Sequence, residues 1–82
     1  MYDVVFSEKA KKQFLKLEMD TQKRIISSLD RIKIRPEAYV SKLVGDTAYR
    51  LRVGDYRVIM DIDKGSLIIL IIKVSHRRNI YK

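Results

Sequence analysis

Three arginines with alternating spacing are the residues of this sequence best suited to chemistry. They lie in the segment RLRVGDYR at residues 50–57, which has the pattern of two strands joined by a two-residue Gly-Asp turn. A type II′ turn at Gly54 would pair Arg52 with Arg57 and leave Arg50 diagonal to them. Like charges that face each other across a sheet repel, so such a cluster is most easily kept where an anion binds. Because guanidinium groups match the oxygens of phosphate, the segment predicts a phosphate-binding site.

The charge of the chain favours a polyanionic partner, nucleic acid above all. Its 82 residues include 18 basic and 10 acidic side chains, a formal net charge of +8. With no cysteine and one histidine, we expect no metal or other cofactor. The longest apolar run, at residues 67–72, is far shorter than the ~20 residues of a membrane-spanning helix. We therefore expect a cytoplasmic protein without a membrane partner.

The N-terminal half has the pattern of one strand followed by two helices. Residues 2–6 form a short strand, and Ser7 is suited to cap the first helix. Asp20 is a candidate cap for the second helix, which should end at Arg35-Pro36 because the residue before a proline avoids helical conformation. The apolar stripe predicted for this helix comprises Ile25, Ile26, Leu29 and Ile32.

The C-terminal half has the pattern of a three-stranded antiparallel meander. After a connector at residues 36–46, we expect strands at 47–53, 56–62 and 67–74. The last strand is apolar on both faces and should lie inside the sheet. The sequence thus predicts a single α+β domain over residues 1–82: an N-terminal strand, a two-helix hairpin and a meander, with the helices on one face of the sheet. The arginines should point away from the helices.

Two segments resemble the RelE/ParE superfamily of toxins from prokaryotic toxin–antitoxin pairs. They are YRLRVGDYRVI at residues 49–59 and VSHRRNIY at residues 74–81. The resemblance, which covers nearly the whole chain, implies the RelE-like fold and an endoribonuclease. RelE-type members bind in the ribosomal decoding site and cut mRNA by attack of a 2′-hydroxyl on the neighbouring phosphate, which inhibits translation. The implied partners are the ribosome, mRNA and a RelB-like antitoxin, with a heterotetramer of two toxins and two antitoxins as the family expectation.

The resemblance also implies roles for single residues. Arg57 matches the arginine that stabilises the phosphate, Arg77 matches a second, supporting arginine, and Tyr81 matches an aromatic residue that stacks on an mRNA base. Where the best-known member has two strand lysines, one of them a candidate base, this chain has Arg50 and Arg52. Arginine is always protonated and makes a poor base. The residues expected to bind RNA are Arg50, Arg52, Lys73 and Arg78.

The identity of the proton-transfer group stays open, with His76, Tyr81 and a lysine as candidates. Histidine changes charge near neutral pH, and cationic neighbours favour its neutral, basic form. Our hypothesis from the sequence is that His76 transfers a proton and is catalytic together with Arg57, Arg77 and Tyr81. The alternative is catalysis by positive charge and positioning, with the ribosome orienting the mRNA and contributing groups of its own.

Two other functions fit parts of the sequence. ParE-type members share the fold, poison DNA gyrase and generally lack the RNase side chains. The absence of the strand lysines favours such a gyrase inhibitor or an inactive member. The presence of Arg57, His76, Arg77 and Tyr81 opposes it. A simple nucleic-acid-binding domain accounts for the charge but not for the spacing of both motifs.

Overall fold

The chain forms a helical hairpin packed on a five-stranded sheet. The computed structural model describes residues 1–45 and 47–76. Its elements are β1 (Asp3–Phe6), α1 (Glu8–Leu15), α2 (Met19–Ile32), a 3-10 turn (Pro36–Ala38), β2 (Ser41–Lys42), β3 (Tyr49–Val53), β4 (Tyr56–Asp63) and β5 (Ile68–His76). The strand order is β1-β5-β4-β3-β2, with β1 parallel to β5 and the other neighbours antiparallel. The predicted α+β fold is confirmed, including the interior position of the last strand.

The first helix begins where the sequence predicts, because Ser7 caps it. The backbone of Ser7 is extended, and its Oγ accepts a hydrogen bond from Ala10 N at 3.1 Å. The same hydroxyl donates to the carbonyl oxygen of Ile72 at 3.2 Å. The side chain of Ser7 thus pairs one of the free N–H groups at the start of α1 and attaches this end of the helix to β5.

The start of α2 differs from the prediction. Glu18, not Asp20, is the N-cap residue, and it makes no side-chain capping hydrogen bond. Asp20 lies in the first turn, where a carboxylate interacts favourably with the positive end of the helix. Of the predicted apolar stripe, Ile26 is 42% exposed, because it lies about 100° around the helix from Ile25. The helix ends at Ile32, shortly before Arg35-Pro36.

The connector predicted at residues 36–46 contains two short elements. Besides the 3-10 turn, it holds β2, in which Ser41 pairs with Arg50 of β3. A two-residue strand has no alternation that could reveal it in the sequence. β2 covers β3 at Tyr49 and Arg50 only, so Arg50 lies inside the sheet while Arg52 stays at its edge.

The core lies between the helices and one face of the sheet. Its buried members are Ala10, Ile25, Leu29, Ile32, Leu51, Val53, Val58, Met60, Ile69, Ile71 and Val74. The strand residues that alternate with them form the opposite face, which we call the open face. Within residues 1–45 and 47–76, neither helix has the length and apolar character needed to span a bilayer.

A β-bulge in the last strand decides which of its residues lie on the open face. Met60 pairs with Ile71 and Ile59 pairs with Lys73, so Ile72 has no partner in the β4 register. The alternation of β5 is displaced by one residue at this point. As a result, Lys73 lies on the open face with Ile59, and Val74 returns to the core.

Candidate functional site

The β3–β4 hairpin brings the three arginines together as predicted. Gly54 has a φ of 58° and Asp55 has a negative φ, as a type II′ turn requires. Arg52 lies directly opposite Arg57. Arg50 precedes Arg52 by two residues and therefore lies on the same face, diagonal to Arg57.

The bulged strand adds a lysine and a hydroxyl beside the arginines. Across the central strands, Arg52, Arg57 and Ser75 form one row of the sheet, and Arg50 and Lys73 are in the next row on either side of Ile59. Because strands are about 4.8 Å apart, each row spans roughly 10 Å. We call these residues the basic cluster: Arg50, Arg52, Arg57, Lys73 and Ser75. The four basic residues were predicted as site residues, whereas Ser75 was expected near them without a role of its own; continuing the pairing into the last strand aligns it with Arg57.

Arg57, at the centre of the cluster, holds an unpaired nitrogen. Its side chain is half-buried, and Nε is fully shielded from solvent without a hydrogen-bond partner among the described residues. The ion pairs of the described ranges are Lys33–Asp30 at 3.3 Å and Lys64–Glu37 at 3.4 Å, so none involves the basic cluster. The cluster therefore combines uncompensated positive charge with a desolvated donor, an arrangement that favours an anion.

His76 lies on the opposite face of the sheet from Arg57. It pairs with Tyr56, and the two rings meet edge to face with centroids 5.0 Å apart. Both residues line a pocket of about 330 Å³ together with Gln13 and Leu17, on the helical side. Lys73 and Ser75 also line this pocket, so His76 lies on the face of the sheet opposite Arg57 but borders the β5 side of the basic cluster.

Gln13 positions the part of β5 that contributes to the cluster. Its Oε1 accepts a hydrogen bond from Val74 N at 2.8 Å, directly after the bulge and between Lys73 and Ser75. Val74 is buried and the hydrogen bond is partly buried, so Gln13 satisfies a backbone donor at the margin of the core. The sequence analysis missed Gln13, and its spacing carries no signal that would have identified it.

The far end of the open face carries the opposite charge. Asp3 and Asp63 flank β5 there, and Asp61 lies nearby on β4. Hydrogen bonds from Ser66, and also from Gly65 N, to the Asp63 carboxylate lower its pKa. Exposed apolar side chains accompany these acids: Val5, Leu67, Ile68 and Leu70. The open face is thus basic at one end and acidic and apolar at the other.

The remaining predicted site residues lie beyond the described part of the chain. These are Arg77, Arg78 and Tyr81, whose roles stay predictions. Within the described ranges, no three His, Asp or Glu side chains are grouped so that they could hold a metal ion.

Comparisons with known proteins agree with the fold and with the predicted resemblance. The family model described as ParE toxin of type II toxin-antitoxin system, parDE, matches residues 4–81. Among solved structures, the RelBE2 toxin–antitoxin complex from Mycobacterium tuberculosis contains a chain that is 23% identical, with a TM-score of 0.84 over 93% of this chain and 98% of that chain. The intact RelBE toxin–antitoxin complex from E. coli gives 26% identity and a TM-score of 0.80 over 93% and 96% of the two chains. The archaeal RelE–RelB complex from Pyrococcus horikoshii OT3 gives 28% identity and a TM-score of 0.76 over 93% and 94%.

A search of curated proteins gave no significant match. The family model nevertheless covers nearly the entire chain, and the solved structures reproduce its strand, helical hairpin and antiparallel strands. The chain therefore belongs to the ParE toxin family of type II toxin–antitoxin systems, within the RelE/ParE superfamily.

Proposed function

We propose that this toxin is a ribosome-dependent mRNA endonuclease of the RelE type, which inhibits translation by cutting mRNA. The observation that carries the proposal is the basic cluster, in which three arginines and a lysine share one surface. No acidic side chain of the described residues pairs with them. The likeness to the toxin chains of RelBE complexes, at up to 28% identity, supports the same reading.

Arg57 is the residue best placed to hold the reacting phosphate. In this reaction the 2′-oxygen attacks phosphorus, the 5′-oxygen leaves and a 2′,3′-cyclic phosphate forms. Negative charge accumulates on the phosphate during the attack, and fixed guanidinium donors stabilise it. Arg57 lies between Arg52 and Ser75 in its row of the sheet. We propose that Arg50 and Lys73, in the next row, neutralise flanking phosphates.

The position of His76 favours catalysis by charge and positioning. The ring of His76 packs on Tyr56, on the face of the sheet opposite Arg57, which supports a smaller part for His76 at a phosphate held by Arg57. We propose that Arg57, with the predicted help of Arg77, stabilises the transition state, and that Tyr81 stacks on a base. The ribosome then orients the mRNA and contributes groups to proton transfer.

We also propose that a RelB-like antitoxin holds this toxin inactive. Similar chains from M. tuberculosis, E. coli and P. horikoshii were solved as complexes with RelB-type antitoxins. The open face offers such a partner a basic end and exposed apolar side chains, including Val5 and Leu70. An antitoxin segment with acidic and apolar residues would complement both features.

Primer extension on a defined mRNA with translating ribosomes tests the nuclease proposal. We expect the wild type to cut within ribosome-occupied codons and to leave naked RNA intact. Arg57→Ala should abolish the cuts, whereas His76→Ala should retain them. Loss of cleavage in His76→Ala, with a folded protein, would restore the proton-transfer role suggested by the sequence. Intact mRNA on ribosomes treated with the wild type would overturn the nuclease proposal.

Gyrase inhibition is the second candidate, because the matching family model is that of ParE toxins and Arg50 and Arg52 replace the strand lysines of RelE. A DNA supercoiling assay with purified gyrase distinguishes the two functions. Inhibition of supercoiling together with intact ribosome-bound mRNA would support the ParE-type activity.

A further inference from the structure

A second basic surface lies between α2 and the tip of the β3–β4 hairpin. It is a groove of about 390 Å³, lined by Lys23, Arg24 and Arg31 from the helix and by Arg52 and Gly54 from the hairpin. We call it the α2 groove. None of the residues from the helix was singled out by the sequence motifs.

The helix presents its basic residues to the groove as a single row. Arg24, Ser27 and Arg31 line it at spacings of three and four residues, which places them on one side of α2. The two arginines are two turns apart, about 10 Å along the axis. Gly54 faces them from the hairpin, where a Cβ would lie 4.0 Å from Arg24 Nη1. The guanidinium of Arg24 therefore lies against the turn.

The charge of the groove is not neutralised within the described residues. The four basic side chains of its lining take part in neither ion pair of the described ranges, and no carboxylate lines the groove. Placing like charges together destabilises a fold. An anionic ligand would remove this cost, and guanidinium groups with neighbouring hydroxyls suit phosphate oxygens.

The α2 groove lies on the helical side of the sheet and meets the basic cluster of the open face at Arg52. Arg52 lines the groove and also lies directly opposite Arg57 in the sheet. A strand of nucleic acid held at Arg57 can therefore pass Arg52, cross the hairpin tip at Gly54 and reach Arg24 and Arg31.

The lining favours nucleic acid over a protein partner. Val53 is the groove's one large apolar residue, and it is buried in the core, whereas protein interfaces are centred on accessible aromatic and aliphatic side chains. The groove formed by Phe14, Met19 and Ile26 on the outer side of the helices has that apolar character instead.

We propose that the α2 groove binds the sugar–phosphate backbone of RNA and extends the binding surface of the toxin beyond the cleavage site. The proposal rests on the proposed function in taking RNA as the ligand. The phosphodiester can belong to the mRNA strand or to ribosomal RNA, since both present the same chemistry to the arginines.

The test compares two double variants of equal charge. Arg24→Ala/Arg31→Ala removes two cations from the groove, and Lys9→Ala/Lys11→Ala removes two exposed cations from α1, outside the groove. Dissociation constants are measured by fluorescence anisotropy for a short 2′-O-methylated single-stranded RNA and for small ribosomal subunits, between about 50 and 200 mM salt. Circular dichroism confirms that each variant is folded.

Log affinity falls as log salt rises, and we expect this fall to be less steep in the groove variant. The magnitude of the slope should decrease by about 1.4, since each lost phosphate contact with a single strand contributes about 0.7. The lysine variant should change it by less than half as much. A reduced slope with the short RNA assigns the groove to mRNA, and a reduced slope with subunits alone assigns it to ribosomal RNA. An unchanged slope in the groove variant, an equal loss in both variants, or weakened binding of the antitoxin alone would overturn the proposal.

The methylated RNA has no free 2′-hydroxyl, so binding is measured without cleavage. If the wild type binds RNA through the groove but leaves ribosome-bound mRNA intact, the nuclease proposal fails and the groove proposal stands. If the wild type cuts mRNA and the groove variant keeps the wild-type slope, the nuclease proposal stands and the groove proposal fails.

Discussion

Replacing Arg57 by methionine should make the protein more stable while it abolishes the proposed RNA cleavage. Nε of Arg57 is buried without a partner in the described structure, and an unpaired buried donor costs about 1–3 kcal/mol. The guanidinium also faces Arg52 across the strands, and repulsion between such a pair costs about 0.2–1 kcal/mol. Methionine keeps an unbranched side chain without the donor or the charge. We therefore expect the free energy of unfolding to rise by about 1–3 kcal/mol, the range set by the unpaired donor.

Urea denaturation followed by circular dichroism measures this gain, and Arg52→Met is the matched control. Arg52 is exposed, so the control removes the same cross-strand repulsion without removing a buried donor. The control should gain about 0.2–1 kcal/mol at most. In a domain of 82 residues, each kcal/mol corresponds to about 4–8 °C in Tm. The reasoning is refuted if Arg57→Met is less stable than the wild type or no more stable than Arg52→Met.

Three further predictions concern the elements that hold the site in place. Ser7→Ala should lower the free energy of unfolding by about 1 kcal/mol in urea, because α1 loses its cap; Ser7→Thr, which keeps a hydroxyl, should lose less. Gln13→Ala should cost about 1–3 kcal/mol by leaving Val74 N unpaired at the margin of the core, and Gln13→Glu, which keeps the acceptor, should recover most of it; equal losses in the two variants would contradict the role of this bond. The lowered pKa of Asp63 means that its contribution to stability is present above the unfolded value of about 3.9 and is lost as the pH falls through the folded value. Thermal melts should therefore show a smaller loss of Tm on acidification in Asp63→Asn than in the wild type, and parallel curves would contradict this contribution.

The hairpin could be predicted from the sequence in detail because several local signals coincide there. Alternation, a glycine in the first position of a two-residue loop and an aspartate in the second together determine the register. Once Arg52 is paired with Arg57, the arginine face follows without tertiary information. The cap at Ser7 was predictable for the same reason, since the signal and its effect are three residues apart.

The neighbours of the hairpin depend on contacts that are distant in the sequence. Pairing between β4 and β5 decides that Ser75, and not His76, shares a face with Arg57. The apolar run in β5 has no alternation of its own, so its register comes from β1, β4 and the helices. Because of the bulge, the buried positions of β5 change from odd numbers at Ile69 and Ile71 to an even number at Val74. All of these positions are apolar, so the change cannot be seen in the sequence without the structure.

The two oppositely charged ends of the open face give the toxin a preferred orientation near a polyanion. Arg57 and Asp63 are six residues apart on β4, which corresponds to about 20 Å along the strand. Because the Debye length is about 8–10 Å at physiological salt, a nearby polyanion acts separately on each end. It attracts the end with Arg57 and repels the end with Asp3, Asp61 and Asp63, which produces a torque on the molecule. Before any contact forms, this torque turns the hairpin tip toward the polyanion, an effect that the net charge of +8 alone would not produce.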